Sequence, residues 1–559
     1  MNCTFKSSIF VFMLAITSVA GWAQTVKSLQ IAQYDIWEFE VVAHSVSAHP
    51  FTESGITGRF TSPTGKIIII NGFYDGTDNW KLRFTPTELG LWRYQLTGVN
   101  FNYNQNGSLA CVKGKSNGFI SLHPQNKYAF AYQGGKPFFP MGDTSYGLFD
   151  DAFITDDIRN AYLDTRRQQG FNFVRLVIGH SMMRARKDND YWAWGGSAEK
   201  PDLDAYNPAF FNKFDAMIAG MKAKRMNAEL ILLNFYRLPF TTKEWTPKRE
   251  ENWLRYLTAR YAAYNNVFLW TIANEYETHP DGVYKLDSND VKWAANTARY
   301  IKANDPYQHL LTVHSVISST TKGQRTDAPF DGPWQIGGFF GNEKAIDVLS
   351  QQTGQSGQGT TWDEQRQYWT GDAVNLTASI AADRRYNKPV VNTESGYEYL
   401  TGQPTMRQQV HSTNKVRHSS WRIVCAGGYF AAGFSGTLAH NDIWNELDKP
   451  NRYSFLLKDE GAALQLKYLY SFFTALPFWT TQPYLQIEGD AVALKYTTGY
   501  IVYLPHGGDA QLLTVKAKDY TVTWYNTRTG AFRLKEKTKK AININLRAPD
   551  NEDWVALIN

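Results

Sequence analysis

Between Lys136 and Gly436 short apolar runs recur eight times, most of them separated by stretches with helical spacing. No other feature limits the possible folds of the chain as much. The runs are "KPFFPMGD", "FNFVRLVIGH", "NAELILLNF", "VFLWTIANE", "HLLTVHS", "AIDVLSQQ", "KPVVNTES" and "GGYFAAGFSG". Short, apolar and bounded by polar or turn residues, they read as strands buried on both faces. The spacers carry helix signals. Thr155 is a candidate N-cap for a helix with Ile158, Ala161 and Tyr162 on one face, and Gly170 ends it. Phe210, Phe214, Met217, Ile218 and Met221 mark a second helix. Trp253, Leu257 and Tyr261 mark a third, and Val291, Ala294, Ala298 and Ile301 a fourth. Between about 316 and 344 Ser, Thr, Gly and Pro predominate, and no helix is expected there.

Eight strands alternating with helices over residues 126–478 point to a (β/α)8 TIM barrel, an α/β fold. A doubly wound open sheet is the rival. It lacks support because no glycine-rich phosphate fingerprint follows the first strand. The flanks differ. Residues 24–125 hold many short aromatic and β-branched runs broken by Gly, Asn, Asp and Pro, which predicts an N-terminal β-sandwich. Residues 479–559 alternate in the same way and predict a C-terminal β-sandwich.

Residues 1–23 resemble a secretory signal peptide: Lys6, the apolar run "IFVFMLAITSVA", then small residues at Gly21 and Ala23 around the expected cleavage point. Export to the periplasm or the outside of the cell is expected. No later run approaches the ~18 apolar residues of a membrane span. A net charge of +6 over 559 residues is too dilute to suggest a nucleic-acid partner, and "RLKEKTKK" reads as a solvated edge. Once Cys3 leaves with the signal, Cys111 and Cys425 remain, with neither disulfide-framework nor metal spacing. No metal or cofactor is called for. The aromatic content, 15%, favours carbohydrate, since aromatic faces stack on sugar rings.

The active site of such a barrel lies at the C-terminal strand ends. Those ends supply Asp143 and Tyr146, then Arg175 and His180, then Asn234 and Tyr236, then Asn274 and Glu275. His314, Gln351 with Gln352, and finally Asn392 with Glu394 follow on strands five to seven. A ring of hydrogen-bonding and ionisable groups suits a polyhydroxylated ligand. Two strand ends carry Glu, and strands four and seven lie across the barrel from each other. A facing carboxylate pair about 5 Å apart is what retaining glycoside hydrolysis needs, against about 6.5–9.5 Å for inversion. Arg175, inside a buried strand, needs a carboxylate. Glu394 is one candidate partner, which would hold it ionised, and Asp143 is another. Glu277 and Glu398 fall a few residues later, where surface charge is ordinary. Trp334, Trp362 and Trp444 sit in loops near the predicted mouth, suited either to sugar stacking or to loop packing.

"WTIANE" and "VVNTES" resemble the paired-Glu pattern of the clan A glycoside hydrolases, and "FFPMGDTSYGLF" through "GFNFVRLVI" is similar to the apiosidase-like (DUF4038) barrel. Residues 24–125 resemble a DUF5060 module, and "RAPDNEDWVALIN" a C-terminal β-domain found with such barrels. The resemblance implies Glu275 as acid/base and Glu394 as nucleophile. Clan members often carry a Tyr on strand six and a Trp on strand eight, where this chain offers Gln351 and Gln352, then Phe430 and Phe434. The apiosidase branch has Asp at the place of Glu275, so the sugar stays open. The expected activity is retaining hydrolysis of plant or algal polysaccharides or their oligosaccharides. The alternative is a non-catalytic carbohydrate-binding protein on a decayed barrel.

Overall fold

The computed structural model describes residues 29–559 except 45–46, 54, 151–153, 180–188, 284–287, 316–335, 354–361, 364–367, 370–371, 396, 399–409 and 435–460. The expected signal peptide lies outside the described residues.

Eight parallel strands form the barrel: β1 (Met141–Thr144), β2 (Phe173–Val177), β3 (Asn227–Leu233), β4 (Val267–Ala273), β5 (Leu310–Thr312), β6 (Leu349–Gln351), β7 (Val390–Asn392) and β8 (Tyr429–Phe434). Their hydrogen-bonded order is β5-β4-β3-β2-β1-β8-β7-β6. The β5–β6 seam is closed by a His314–Ser350 bridge and by the Asp347 N–H donating to Leu311 O at 2.9 Å. The helices are α1 (Asp156–Gln168), α2 (Pro208–Ala223), α3 (Pro247–Tyr261), α4 (Ser288–Asn304), α5 (Ile336–Phe340), α6 (Asp372–Arg384), α7 (Thr413–Cys425) and α8 (Gly461–Thr474). Thr155 caps α1 as its sequence predicts, its side chain accepting from the Ile158 N–H at 3.2 Å. The short α5 falls in the span read as loop, a single turn too brief for periodicity to reveal.

Strand alternation fills the barrel in layers. At the floor Phe173 meets Phe268, ring centroids 5.1 Å apart. Gly142 faces them because a Cβ there would stand 2.2 Å from the Phe173 ring. Phe130 and Phe138, from a three-stranded sheet built by Ile120–His123, Asn126–Tyr132 and Pro137–Phe138, pack edge-on against Phe268 and close the floor. Above them lies a polar layer with Arg175, Glu229 and Thr271, in place of the branched apolar residues that usually fill a barrel. Tyr146, Val177 and Ile231 cluster above that.

The N-terminal sandwich comprises a five-stranded and a three-stranded sheet around Phe60, Trp80, Phe84 and Trp92. It docks on α2 and α3 through buried charges. Arg260 of α3 donates to Asp75 at 2.7 Å and to Asp215 at 2.8 Å, and Asp215 also accepts from Arg83. The C-terminal region is a seven-stranded antiparallel sheet. Tyr503, Tyr525 and Val555 join the barrel core beside Trp421 of α7 and Phe472 of α8, while Val502, Leu504 and Trp524 pack in a second core.

Asp553 pins this sheet to α7. It accepts from Arg417 at 2.7 and 2.9 Å and from Thr527 at 2.6 Å. Burial alone would raise its pKa, but His418 and Arg417 outweigh it and hold the carboxyl well below the usual range. A carboxyl depressed on folding contributes stability above its unfolded pKa of about 3.9, and loses it as pH falls through the folded value. Asp553→Asn is therefore expected to lose stability at neutral pH and to unfold with a weaker pH dependence below about pH 4. Urea melts at a series of pH values check this.

Candidate active site

Glu275 follows β4 in an unusual conformation. Its φ is +51°, in the left-handed region that costs a non-glycine residue about 1–2 kcal/mol. The turn is held from the far side, where the Thr278 N–H and hydroxyl both donate to Glu275 O, at 2.9 and 2.7 Å. Residues Tyr276–Thr278 then form one 3-10 turn, and the Tyr276 N–H donates to His314 O at 3.0 Å. The kink leaves Glu275 on the rim, where the Tyr236 hydroxyl donates to its Oε2.

Arg175 is the hub. Fully buried, it spends each guanidinium nitrogen on a different partner. Nη1 donates to Glu394 Oε1 at 2.8 Å and to the Tyr146 hydroxyl at 2.6 Å, Nη2 donates to Asn274 Oδ1 at 2.6 Å, and Nε donates to Glu229 Oε1 at 3.1 Å. The Tyr146 hydroxyl in turn donates to Glu394 Oε1, and Gln352 Nε2 donates to Glu394 Oε2 at 2.8 Å. Both oxygens of Glu394 therefore face donors, which favours the carboxylate form.

His314 reports its own tautomer. Burial first, and the Arg175 charge second, hold its pKa well below the ordinary value, so the ring is neutral. The Glu275 N–H donates to its Nδ1 at 3.4 Å, so the proton is assigned to Nε2, which stands 3.6 Å from Glu394 Oε1. One neutral imidazole thus touches the backbone of one acid and faces the carboxylate of the other.

Glu229 does not stand out in the sequence as a site residue because it sits in the middle of an apolar strand rather than at its end. Fully buried, it accepts from Arg175 and, at 2.7 Å, from the Thr271 hydroxyl, and burial raises its pKa despite the Arg175 charge. The available signal was an acid in one buried strand at the depth of an arginine in the next, Arg175 and Glu229 being register partners. Its part is to position Arg175. Glu229→Leu is expected to cost on the order of 2–3 kcal/mol of stability, because the guanidinium keeps its charge and loses an acceptor. Chemical denaturation measures this directly.

Two expected site residues, Asp143 and Gln351, face away from the barrel interior. Asp143 points outward from β1, where it accepts from Arg166 at 2.6 Å and Tyr162 at 2.7 Å; Gly142 and Thr144 hold the inward positions. It is a buried structural pair and not the partner of Arg175. Gln351 also faces outward, donating to Ser379 O at 3.1 Å and to Asp383 of α6, so its neighbour Gln352 reaches the site. Asn234 is buried at the end of β3. His180, Trp334 and Trp444 lie outside the described residues, as does the side chain of Trp362. Glu277 and Glu398 are not surface charges. Glu277 is fully buried and accepts from Ser315, and Glu398 accepts from Thr413 and from the Ala462 N–H at 2.8 Å, fixing the start of α8. Among the described residues no group of three or more His, Cys, Asp and Glu could hold a metal ion. No helix of the described residues is long and apolar enough to cross a membrane.

A parallel eight-stranded barrel whose rim carries Asn-Glu after β4 and a second Glu after β7 is compatible with a glycoside hydrolase, and a family model assigns the chain to that class. The chain belongs to the family of the apiosidase-like catalytic domain, whose model matches residues 124–480, and the DUF5060 domain of unknown function matches residues 30–98. Among solved structures, one from Bacteroides vulgatus assigned as a glycoside hydrolase is 19% identical. It covers 95% of this chain and 100% of its own, with a TM-score of 0.69. A glycoside hydrolase family 5 structure from the same organism is 17% identical over 79% of this chain and 92% of its own, with a TM-score of 0.59. At such identities the likeness speaks for the fold. No curated protein sequence matches the chain.

Proposed function

We propose that this protein is an exported retaining glycoside hydrolase that cleaves plant or algal polysaccharides, or oligosaccharides derived from them, by double displacement. Glu394 attacks the anomeric carbon while Glu275 gives its proton to the departing glycosidic oxygen. The sugar is then held as an ester of Glu394. Glu275, now a carboxylate, takes a proton from water as that water attacks the same carbon, and Glu394 leaves with its bonding pair restored.

The observation that carries this reading is the double grip of Arg175 on Glu394 and on Asn274, the residue next to Glu275. It supplies an ionised nucleophile at one side and an amide beside the acid/base at the other. Tyr146 and Tyr236, each donating to one of the two acids, complete the support. Export rests on the apolar leader, and purification of the secreted protein is expected to give a chain that starts at Gln24.

The test is the configuration of the first-formed product. After a polysaccharide panel has identified a substrate, proton NMR within the first turnovers is expected to show the anomer of the starting glycoside. The opposite anomer would mean direct displacement by water and would overturn the double displacement.

A further inference from the structure

At the end of the barrel opposite the rim lies a cleft of about 770 Å³. Residues that precede the first four strands form one wall, among them Phe139, Asn172, Met226 and Asn266, and residues of the N-terminal sandwich form another. Five cations line it, namely Lys115, Lys136, Arg167, Lys222 and Arg225, and no carboxylate does. Lys222 is partly matched by Asp35 at 3.8 Å and donates to Tyr34 O at 3.3 Å. The other four make no ion pair among the described residues. Arg167 and Lys222 stand in the last turns of α1 and α2, where a cation suits the helix dipole. That does not account for Lys115 and Lys136, which lie outside both helices and meet at the same cleft.

Aromatic surface lies beside the charge. Tyr132, Tyr470 and Trp479, all half-buried, line the same space. Trp479 is fastened by its carbonyl, which accepts from Asn126 at 2.6 Å. Several cations attract a chain that carries many acidic groups, and aromatic rings stack on its sugar faces while amides such as Asn117 meet hydroxyls.

We propose that this basal cleft is a second, non-catalytic binding site for an acidic oligosaccharide, a stretch of a uronate-bearing or sulfated polysaccharide. The inference rests on the reading of the protein as a polysaccharide hydrolase and names its substrate class as acidic. Lying at the far end of the barrel, the site holds the polymer without occupying the catalytic rim.

The test is calorimetry of the whole mature protein with hexagalacturonate, with the fully methyl-esterified hexamer, which is neutral, and with inorganic phosphate. The acid hexamer is expected to bind at least about tenfold more tightly than either control, with an affinity that falls as salt is added. The double variant Lys115→Glu/Lys136→Glu, both positions exposed, is expected to lose that preference while keeping the wild-type melting temperature and rate on an aryl glycoside. Equal binding of the acid and the ester overturns the proposal. So does an undiminished preference in the double variant, or phosphate binding as tightly as the hexamer. If Glu394→Ala stays active while the double variant loses acid binding, the catalytic reading fails and the cleft stands. The reverse outcome removes the cleft alone.

Discussion

Glu394→Ala is expected to lower kcat on any established substrate by about 10⁴-fold or more, some 5 kcal/mol of transition-state stabilisation. The fold is expected to survive. Arg175 loses one carboxylate but keeps Glu229 as its counter-charge, and Tyr146 still reaches Arg175 and Asn274. Loss of rate with a wild-type circular dichroism spectrum is thus the expected pair of results. Added azide is small enough to enter the space left by the carboxylate. It is expected to restore activity on an aryl glycoside with a good leaving group, giving a glycosyl azide of inverted configuration. Near-full activity without azide would remove Glu394 from the chemistry.

The second large effect is expected at Glu275→Gln, and it depends on the leaving group. A sugar leaving group needs the proton, so hydrolysis of the natural polymer should fall by about 10²–10⁴-fold. A dinitrophenolate does not, so the first step should proceed at close to the wild-type rate. Water then lacks its base, and the ester on Glu394 accumulates. A burst of dinitrophenol followed by slow turnover, with KM lowered, is the expected trace. Gln keeps an acceptor for the Tyr236 hydroxyl and tolerates the left-handed backbone as Glu does, so the loss reports the missing proton and not a moved side chain. Equal losses on both substrates would instead point to a binding role.

Most of the barrel was legible because its strands are buried on both faces and so stand out as uninterrupted apolar runs. The spacing of Phe210, Phe214, Met217, Ile218 and Met221 identified α2 for the same reason, and all five are buried. What the runs do not carry is phase. Whether Asp143 or its neighbours face inward depends on register with β2 and β8, and a one-residue difference sends the side chain to the opposite face. The same ambiguity separated Gln351 from Gln352. In the sequence Glu277 and Glu398 resemble surface charge because polar residues at loop positions are usually solvated. Here the kink at Glu275 turns the chain back under the end of β5, and Glu398 is taken up by the start of α8. Glu229 was hidden for the opposite reason, being polar where the surrounding pattern promised only core.

Double displacement requires Glu394 to form a covalent bond to the sugar, and that bond can be trapped. The protein is incubated with a panel of 2-deoxy-2-fluoro glycosides bearing dinitrophenolate, digested, and its peptides are sequenced by mass spectrometry. A fluoroglycosyl adduct on Glu394 is expected, formed in one-to-one ratio with loss of activity and absent from Glu394→Ala. An adduct on another carboxylate such as Glu275, or turnover of the same glycosides with no adduct on any residue, would contradict double displacement through Glu394.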